Sequence, residues 1–176
     1  NLSQIVQSGG DIGSYTKELT DLTSNTRYYY KAYATNSAGT AYGEVRSFRT
    51  LGSFIDSRDG TTYTYVRIGD QTWMAENLRY KGNTTQTSSY YSSTEKYRYC
   101  PGGSDENVAT YGYLYNWPAA MNGASSSSSN PSNRQGICPD GWHLPSNSEW
   151  TQLTDYLSSR SEYQCDETST NIAKSL

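Results

Sequence analysis

The sequence predicts a fold of the α+β class, mostly β and irregular, with one clear helix near 147–158. Three observations point there. Aromatic and β-branched residues cluster between turn signals in the first half, as in Arg27-Tyr-Tyr-Tyr-Lys-Ala-Tyr-Ala-Thr35, which is the pattern of a strand. The stretch Ile137-Cys-Pro-Asp-Gly-Trp-His-Leu-Pro-Ser-Asn-Ser-Glu-Trp-Thr-Gln-Leu153 reads as a tight turn, a short buried strand and the start of a helix. The chain is also only 34% apolar, yet holds 18 tyrosines and 4 tryptophans. Such rings bury large areas while keeping a polar atom for water or a hydrogen bond, so a core of Tyr and Trp is compatible with a mean hydropathy of −0.84.

Residues 1–50 read as strands. Ser14–Leu22 is one, Arg27–Thr35 a second, Asn36-Ser-Ala-Gly39 a turn, and Glu44–Thr50 the returning strand. Tyr28, Tyr30, Ala32 and Ala34 share a face by the two-residue period. The pattern Leu22-x-x-x-Thr26-x-Tyr28-x-Tyr30-x-Ala32-x-Ala34-x-Asn36-x-x-Gly39, then Phe48 and Thr50, resembles the last strands of a fibronectin type III domain. The resemblance implies a partial β-sandwich and puts Tyr28 where such folds place a corner tyrosine. Half a sandwich leaves an open sheet edge and an exposed apolar face, which invite another chain. Three explanations stay open: the ordered part of a longer protein, a processed fragment, or neighbouring chains that complete each other's sheets with donated strands.

Residues 51–54 read as a junction and Asp56 to Gly60 as a polar turn. Along Tyr63–Gly69, Tyr63 and Tyr65 take one face, Val66 and Ile68 the other. A turn at Asp70-Gln71 leads into Thr72–Leu78, completing a hairpin with Trp73 as its core anchor. Lys81 to Tyr99, rich in Ser, Thr and Tyr, reads as an irregular, exposed loop that Pro101–Asn107 continues. Tyr111–Trp117 is an aromatic packed segment, and Pro118-Ala-Ala-Met opens a short helix, since Pro is tolerated in a first turn. Asn122 to Asn133, with five consecutive serines, reads as a flexible surface loop. Next come the turn residues Pro139, Asp140 and Gly141. Trp142 and Leu144 then flank His143 as an apolar pair, and Pro145 stops the strand. Ser146 with Glu149 is a capping box, and Trp150, Leu153 and Leu157 give the helix one apolar face. Ser158–Thr170 reads as irregular and Asn171–Leu176 as the start of a strand. The expected structural core is Tyr28, Trp73, Trp117, Trp142, His143 and Trp150.

Three motifs in order carry a second resemblance. They are Asp56-Ser-Arg-Asp-Gly-x-x-Tyr63-x-x-Val66-x-Ile68-Gly-x-Gln71-x-Trp73-Met-Ala-Glu-Asn-Leu78-x-Tyr80, Tyr111-Gly-Tyr-Leu-Tyr-Asn-Trp117, and Cys138-Pro-x-Gly-Trp-His-Leu-Pro-Ser-x-x-Glu-Trp150. Together they are similar to the signature of the Fibrobacter succinogenes major paralogous domain, a module of large secreted and surface proteins of Bacteroidetes and Fibrobacteres. The resemblance runs from about Ser53 to the C-terminus. It organises the chain as a half-sandwich over 1–50, the junction, and a domain over 55–176 that is incomplete at its C-terminus. The Trp-x-Leu-Pro-x-x-x-Glu-Trp core also resembles C-type-lectin-like and formylglycine-generating-enzyme-like domains, which implies a C-type-lectin-like architecture.

The net charge is −3, without the basic patch that nucleic acid requires. No run approaches the roughly 20 apolar residues of a membrane span. Asn1-Leu-Ser-Gln is not a signal peptide and reads as a processed or truncated start. Cys100, Cys138 and Cys165 lack metal-ligand spacing. A secreted reading pairs two and leaves one thiol over. Cys100 with Cys138 is the first pair to consider, and three free thiols are the alternative. The family resemblance implies a further cysteine beyond Leu176.

His143 is the lone histidine. Set between Trp142 and Leu144, it is better explained as a structural group hydrogen-bonded under the helix than as a general base. No serine sits in a Gly-x-Ser-x-Gly turn, and the likeness to formylglycine-generating enzymes stops short of their active-site cysteines, so no enzymatic activity is expected. Calcium takes six to eight oxygens. Asp56 and Asp59 form one acidic turn and Asp105 and Glu106 another, neither at EF-hand spacing, so no metal site is expected and solvated loop acids are the plainer reading. No other cofactor is implied. Glu76 and Asn77 could orient a ligand or simply close a hairpin. Tyr90, Tyr91, Tyr97 and Tyr99 could stack on sugar rings or pack against the domain or a neighbour. Asn1-Leu-Ser and Asn83-Thr-Thr fit a glycosylation tripeptide, and Ser125–Ser129 could carry O-linked glycan.

The expected function is that of a non-enzymatic, secreted or cell-surface structural or adhesive module. Its partners would be copies of itself or neighbouring domains, in a fibre completed by strand exchange. The alternative is a carbohydrate-binding module with the tyrosine loop as platform and calcium optional.

Overall fold

The computed structural model describes residues 16–163. The chain divides into two units, 1–50 and 51–176. In the first, β1 (Arg27–Tyr30) pairs antiparallel with β4 (Arg46–Arg49), setting Tyr28 opposite Phe48. β2 (Tyr33–Asn36) and β3 (Gly39–Tyr42) make a separate hairpin. The strand expected over Arg27–Thr35 is thus split at Lys31-Ala32, because its halves pair with different partners. Asn36 builds the hairpin turn by accepting the Ala38 N–H on its side-chain oxygen at 2.8 Å, the local bond that makes Asn a turn residue. Described residues 16–22 form no strand, contrary to expectation. Asp21 sits at φ 58°, outside the extended region.

Tyr28 acts as a corner: its hydroxyl accepts from the Thr23 N–H at 2.7 Å. The Thr50 hydroxyl donates to the Thr23 carbonyl at 2.6 Å and accepts from the Thr26 N–H at 2.9 Å. The rings of Tyr28 and Tyr30 both lie against Phe48, at 5.8 and 6.1 Å between centroids. No described residue of this unit is buried.

The second unit starts on a sheet ordered β5-β6-β7, with β5 Gly52–Ile55, β6 Thr62–Ile68 and β7 Gln71–Met74. Most of the expected junction is therefore an edge strand. Gly52 lies opposite Tyr65, whose ring occupies the place a Cβ would take, 2.2 Å away, so any side chain there must expel the ring. The β6–β7 turn is Gly69-Asp70, one residue earlier than expected. Tyr63 is fully buried and its hydroxyl accepts from the Arg79 N–H at 2.8 Å.

A second, mixed sheet has order β10-β9-β8, from β8 (Thr85–Gln86), β9 (Tyr97–Tyr99) and β10 (Leu114–Tyr115); β8 runs parallel to β9 and β10 antiparallel. Part of the presumed irregular loop 81–99 is therefore sheet. Short helix α1 spans Val108–Tyr111. Helix α2 (Trp117–Met121) starts under an Asn116 cap with Pro118 in its first turn. Helix α3 (Asn147–Ser158) carries the full capping box of Ser146 and Glu149.

The core is Tyr63, Tyr113, Ala119, Met121, Ile137, Leu153 and Leu157. The tryptophans stand at its rim. Trp117, the first residue of α2, is 66% exposed and Trp150 48%, so neither is a core residue. Trp73, Trp142, His143 and Tyr28 are half-buried. Trp150 covers Trp73 at 4.7 Å and Trp142 stacks on Phe54 at 4.7 Å. The large rings shield one another, while smaller side chains such as Ala119 and Leu157 fill the interior. Trp142–Leu144 is not a strand: Leu144 donates to the Arg134 carbonyl at 2.8 Å without a ladder.

Candidate functional site

Tyr90, Tyr91, Tyr97 and Tyr99 do not form one platform. Tyr97 and Tyr99 belong to β9, the middle strand of its sheet, and are half-buried. Tyr90 and Tyr91, on the β8–β9 loop, are 70% and 85% exposed. That loop is pinned to the sheet. Asn116 donates to the carbonyls of Ser92 (3.2 Å) and Glu95 (2.8 Å) and accepts from the Tyr97 N–H at 2.9 Å. The Tyr99 hydroxyl donates to the Tyr90 carbonyl at 2.8 Å. Asn116, which the sequence reading missed, thus caps a helix and anchors a loop with one side chain. Its place just before Trp-Pro was the only signal.

The acidic turns are occupied. Asp56 is buried and gripped by Arg58, Nε to Oδ1 at 2.8 Å and Nη2 to Oδ2 at 2.7 Å, the strong bidentate form of an ion pair. The Arg58 guanidinium holds the Asp56 carboxyl below its ordinary value although burial opposes it. Calcium could reach it only by displacing Arg58. Asp59 accepts the Thr61 N–H at 2.9 Å. Asp105 accepts from the Cys100 thiol at 2.8 Å and from Gln86 at 2.9 Å. Glu106 follows it in an exposed 3-10 turn. Among the described residues no group of three or more His, Cys, Asp or Glu converges. Glu76 accepts from Thr64 and Arg79 and so closes the hairpin end, whereas Asn77 donates to the Tyr111 carbonyl and ties that end to α1.

The expected Cys100–Cys138 disulfide is not formed; both are free thiols. Cys100 is engaged by Asp105, while burial pushes the Cys138 thiol up to about 11. Cys165 lies outside the described residues, as do the expected irregular run beyond 163 and the terminal strand.

A cleft of about 290 Å³ opens between residues 80–84, the end of α2 and residues 135–137. Ala119 and Ile137 line its floor, and Asn83, Thr84, Asn122 and Gln135 its rim. On one wall the Arg58 guanidinium stacks 3.8 Å from the Tyr80 ring centroid and donates to the Ile137 carbonyl at 2.9 Å. The Ile137 N–H donates to the Ala120 carbonyl at 2.9 Å, joining residues 135–137 to the end of α2. Gly136, at φ +56°, permits that approach: a Cβ there would lie 2.3 Å from the Ala120 oxygen. The lining comes from four separate stretches, so no local motif announces it.

The family model of the Fibrobacter succinogenes major domain matches residues 66–176. The chain belongs to that family. No curated protein and no solved structure matches it. The Fibrobacter succinogenes major domain begins, in this match, inside β6, so β5 and the start of β6 extend its sheet from outside the matched residues.

Within the Fibrobacter succinogenes major domain the Trp142–Trp150 motif is a joint knotted by Glu149. One Glu149 oxygen meets His143 Nε2 at 2.6 Å; the other accepts the N–H groups of Ser146 (2.9 Å) and Ser132 (3.0 Å). The Ser132 hydroxyl in turn donates to the Leu144 carbonyl. Burial pushes the Glu149 carboxyl up, but the Ser146 amide, the His143 side chain and the Ser132 amide outweigh it and leave it below its ordinary value. His143 is thus spent on Glu149, whose other oxygen fastens the helix start to Ser132.

Proposed function

We propose that the chain is a non-enzymatic extracellular module of a bacterial surface protein, structural or adhesive, whose first unit is completed by a strand from a neighbouring copy. The observation that carries this reading is the first unit itself: two separate strand pairs without one buried described residue. Isolated two-stranded pairs are marginal in water, and strand addition to an open edge supplies both backbone bonds and side-chain burial. Exposed Tyr29, Tyr30, Tyr42 and Val45 offer the apolar area. The engagement of His143 by Glu149 supports the non-enzymatic part. No metal or other cofactor is required, and localisation at the cell surface accords with the family resemblance.

Electron microscopy of the native material tests this. Filaments with a regular subunit repeat are expected. Separate particles whose β1–β4 amides are nonetheless protected from exchange would mean the same chain completes the unit, and would overturn strand donation.

A second reading, glycan adhesion through Tyr90 and Tyr91, is favoured by the presentation of two exposed rings on a pinned loop. Such faces suit a ligand with an apolar side and polar edges. A glycan array probed with and without calcium should show hits lost in Tyr91→Ser; silence in both conditions removes this reading.

A further inference from the structure

We propose that the cleft between residues 80–84, the end of α2 and residues 135–137 binds a single neutral sugar ring without a metal ion. The inference is independent of the assembly reading and concerns a site apart from the exposed tyrosines.

Size comes first. About 290 Å³ lies at the small end of ligand pockets, room for one ring rather than a chain. Charge narrows the class. Among the described residues Arg58 is the one charged lining residue, and its donors are committed: Nε and Nη2 to Asp56, Nη1 to the Ile137 carbonyl; the nearby Lys96 ammonium is held by the Asn122 oxygen. An anion would therefore meet a neutralised guanidinium. Among the described residues no carboxylate lines the cleft, so a hard cation finds no partner there.

What remains is neutral. Asn83 is exposed and its side-chain amide has no partner within the described protein. Gln135 spends its N–H₂ group on the Cys138 carbonyl (3.2 Å) and Asp140 (3.1 Å), leaving its carbonyl oxygen open. Asn122 is committed on both sides, its oxygen accepting from Lys96 Nζ at 2.7 Å and its N–H₂ group donating to the Gly136 carbonyl at 3.5 Å. The open amide of Asn83 and the open oxygen of Gln135 match hydroxyl groups, each of which can donate and accept. The floor of Ala119 and Ile137 suits the C–H side of a pyranose. A peptide fits less well, because the Ile137 N–H and C=O and the Gly136 C=O are already bonded. The stacked Arg58–Tyr80 wall and the Gly136 approach hold the shape before any ligand arrives, which lowers the ordering cost of binding.

The test is a backbone amide NMR titration of the full chain with glucose, galactose, mannose and N-acetylglucosamine, run beside triglycine and inorganic phosphate. The expected result is saturable shifts at Gly82, Asn83, Thr84 and Gly136 with at least one sugar, at a Kd of about millimolar order, unchanged by EDTA. Asn83→Ala, which removes a side chain without structural bonds, should raise that Kd about five- to tenfold, the worth of one or two hydrogen bonds. Tyr90→Ser should leave it unchanged. The proposal fails if no sugar shifts these amides, if EDTA abolishes the shifts, if phosphate or triglycine reproduces them, or if Tyr90→Ser rather than Asn83→Ala removes binding.

Discussion

Residues 1–50 and residues 51–176 hold their shapes by different means. In the second unit two buried carboxylates organise the packing: Glu149 ties the start of α3 to Ser132, and Asp56 holds Arg58, which reaches the Ile137 carbonyl, around a core of aliphatic and tyrosine side chains. In the first, cohesion rests on two strand ladders, the rings gathered on Phe48 and the bonds joining Tyr28, Thr23 and Thr50. Hydrogen-bonded ladders fix a shape but contribute modestly to net stability, whereas buried apolar area contributes about 25 cal/mol per Å². The described residues of the second unit therefore supply such a driving force, and those of the first do not.

Leu157 is the place to break this contrast. Fully buried on α3, it should cost the second unit about 3–4 kcal/mol as Leu157→Ala, read by urea unfolding. Phe48→Ala should cost clearly less. Equal losses would mean that the first unit has a core after all.

Arg58→Met comes next. It strands Asp56 as an unpaired buried charge, for an expected loss of about 3 kcal/mol. Adding Asp56→Asn should recover part of that loss; no recovery would show that the Arg58 stack on Tyr80, not the ion pair, was the stabilising contact.

Acid sharpens the comparison further. The carboxyls of Asp56 and Glu149 lie below their ordinary values in the folded protein, so the unfolded chain binds protons more tightly. Their contribution is complete above about pH 4 to 5 and is lost as pH falls through the lower folded values. Amide exchange in α3 and β6 should speed up across that window, while β1 and β4 stay unaffected. The smallest effect is that of Tyr28→Phe. It deletes one corner hydrogen bond and should cost about 1 kcal/mol or less, visible as faster exchange of β1 and β4 amides with α3 unchanged.

What the sequence disclosed was local chemistry. The start of α3 was legible because a capping box is written within four residues, Ser146 to Glu149, and α2 because Pro118 is tolerated in a first turn. The second role of Glu149, reaching His143 and Ser132, was not legible, since Ser132 is 17 residues away. Apolar alternation at Trp142 and Leu144 suggested a strand, yet no neighbouring segment offers them a ladder. The tryptophans were placed inside by their size, whereas size is what keeps Trp117 and Trp150 at the rim. Asp56-Ser-Arg58 looked like a polar turn because two residues of separation says nothing of burial. The cleft drew on four distant stretches and left no trace in any one of them.

The serine-rich segment 122–133 has a practical consequence. Its ends are anchored: Ala124 donates to the Met121 carbonyl at 2.8 Å, Asn130 donates to Gln152 at 2.7 Å, and Ser132 is tied to Glu149. The Ser128 carbonyl also accepts from the Ser148 hydroxyl at 3.0 Å, and between Ala124 and Ser128 added length costs little, since doubling a flexible loop costs only about 0.6 kcal/mol. A foreign peptide spliced at Ser126 or Ser127 would therefore be displayed on the protein's outside with the fold beneath it intact, which makes this segment a natural port for epitopes, tags or tethers.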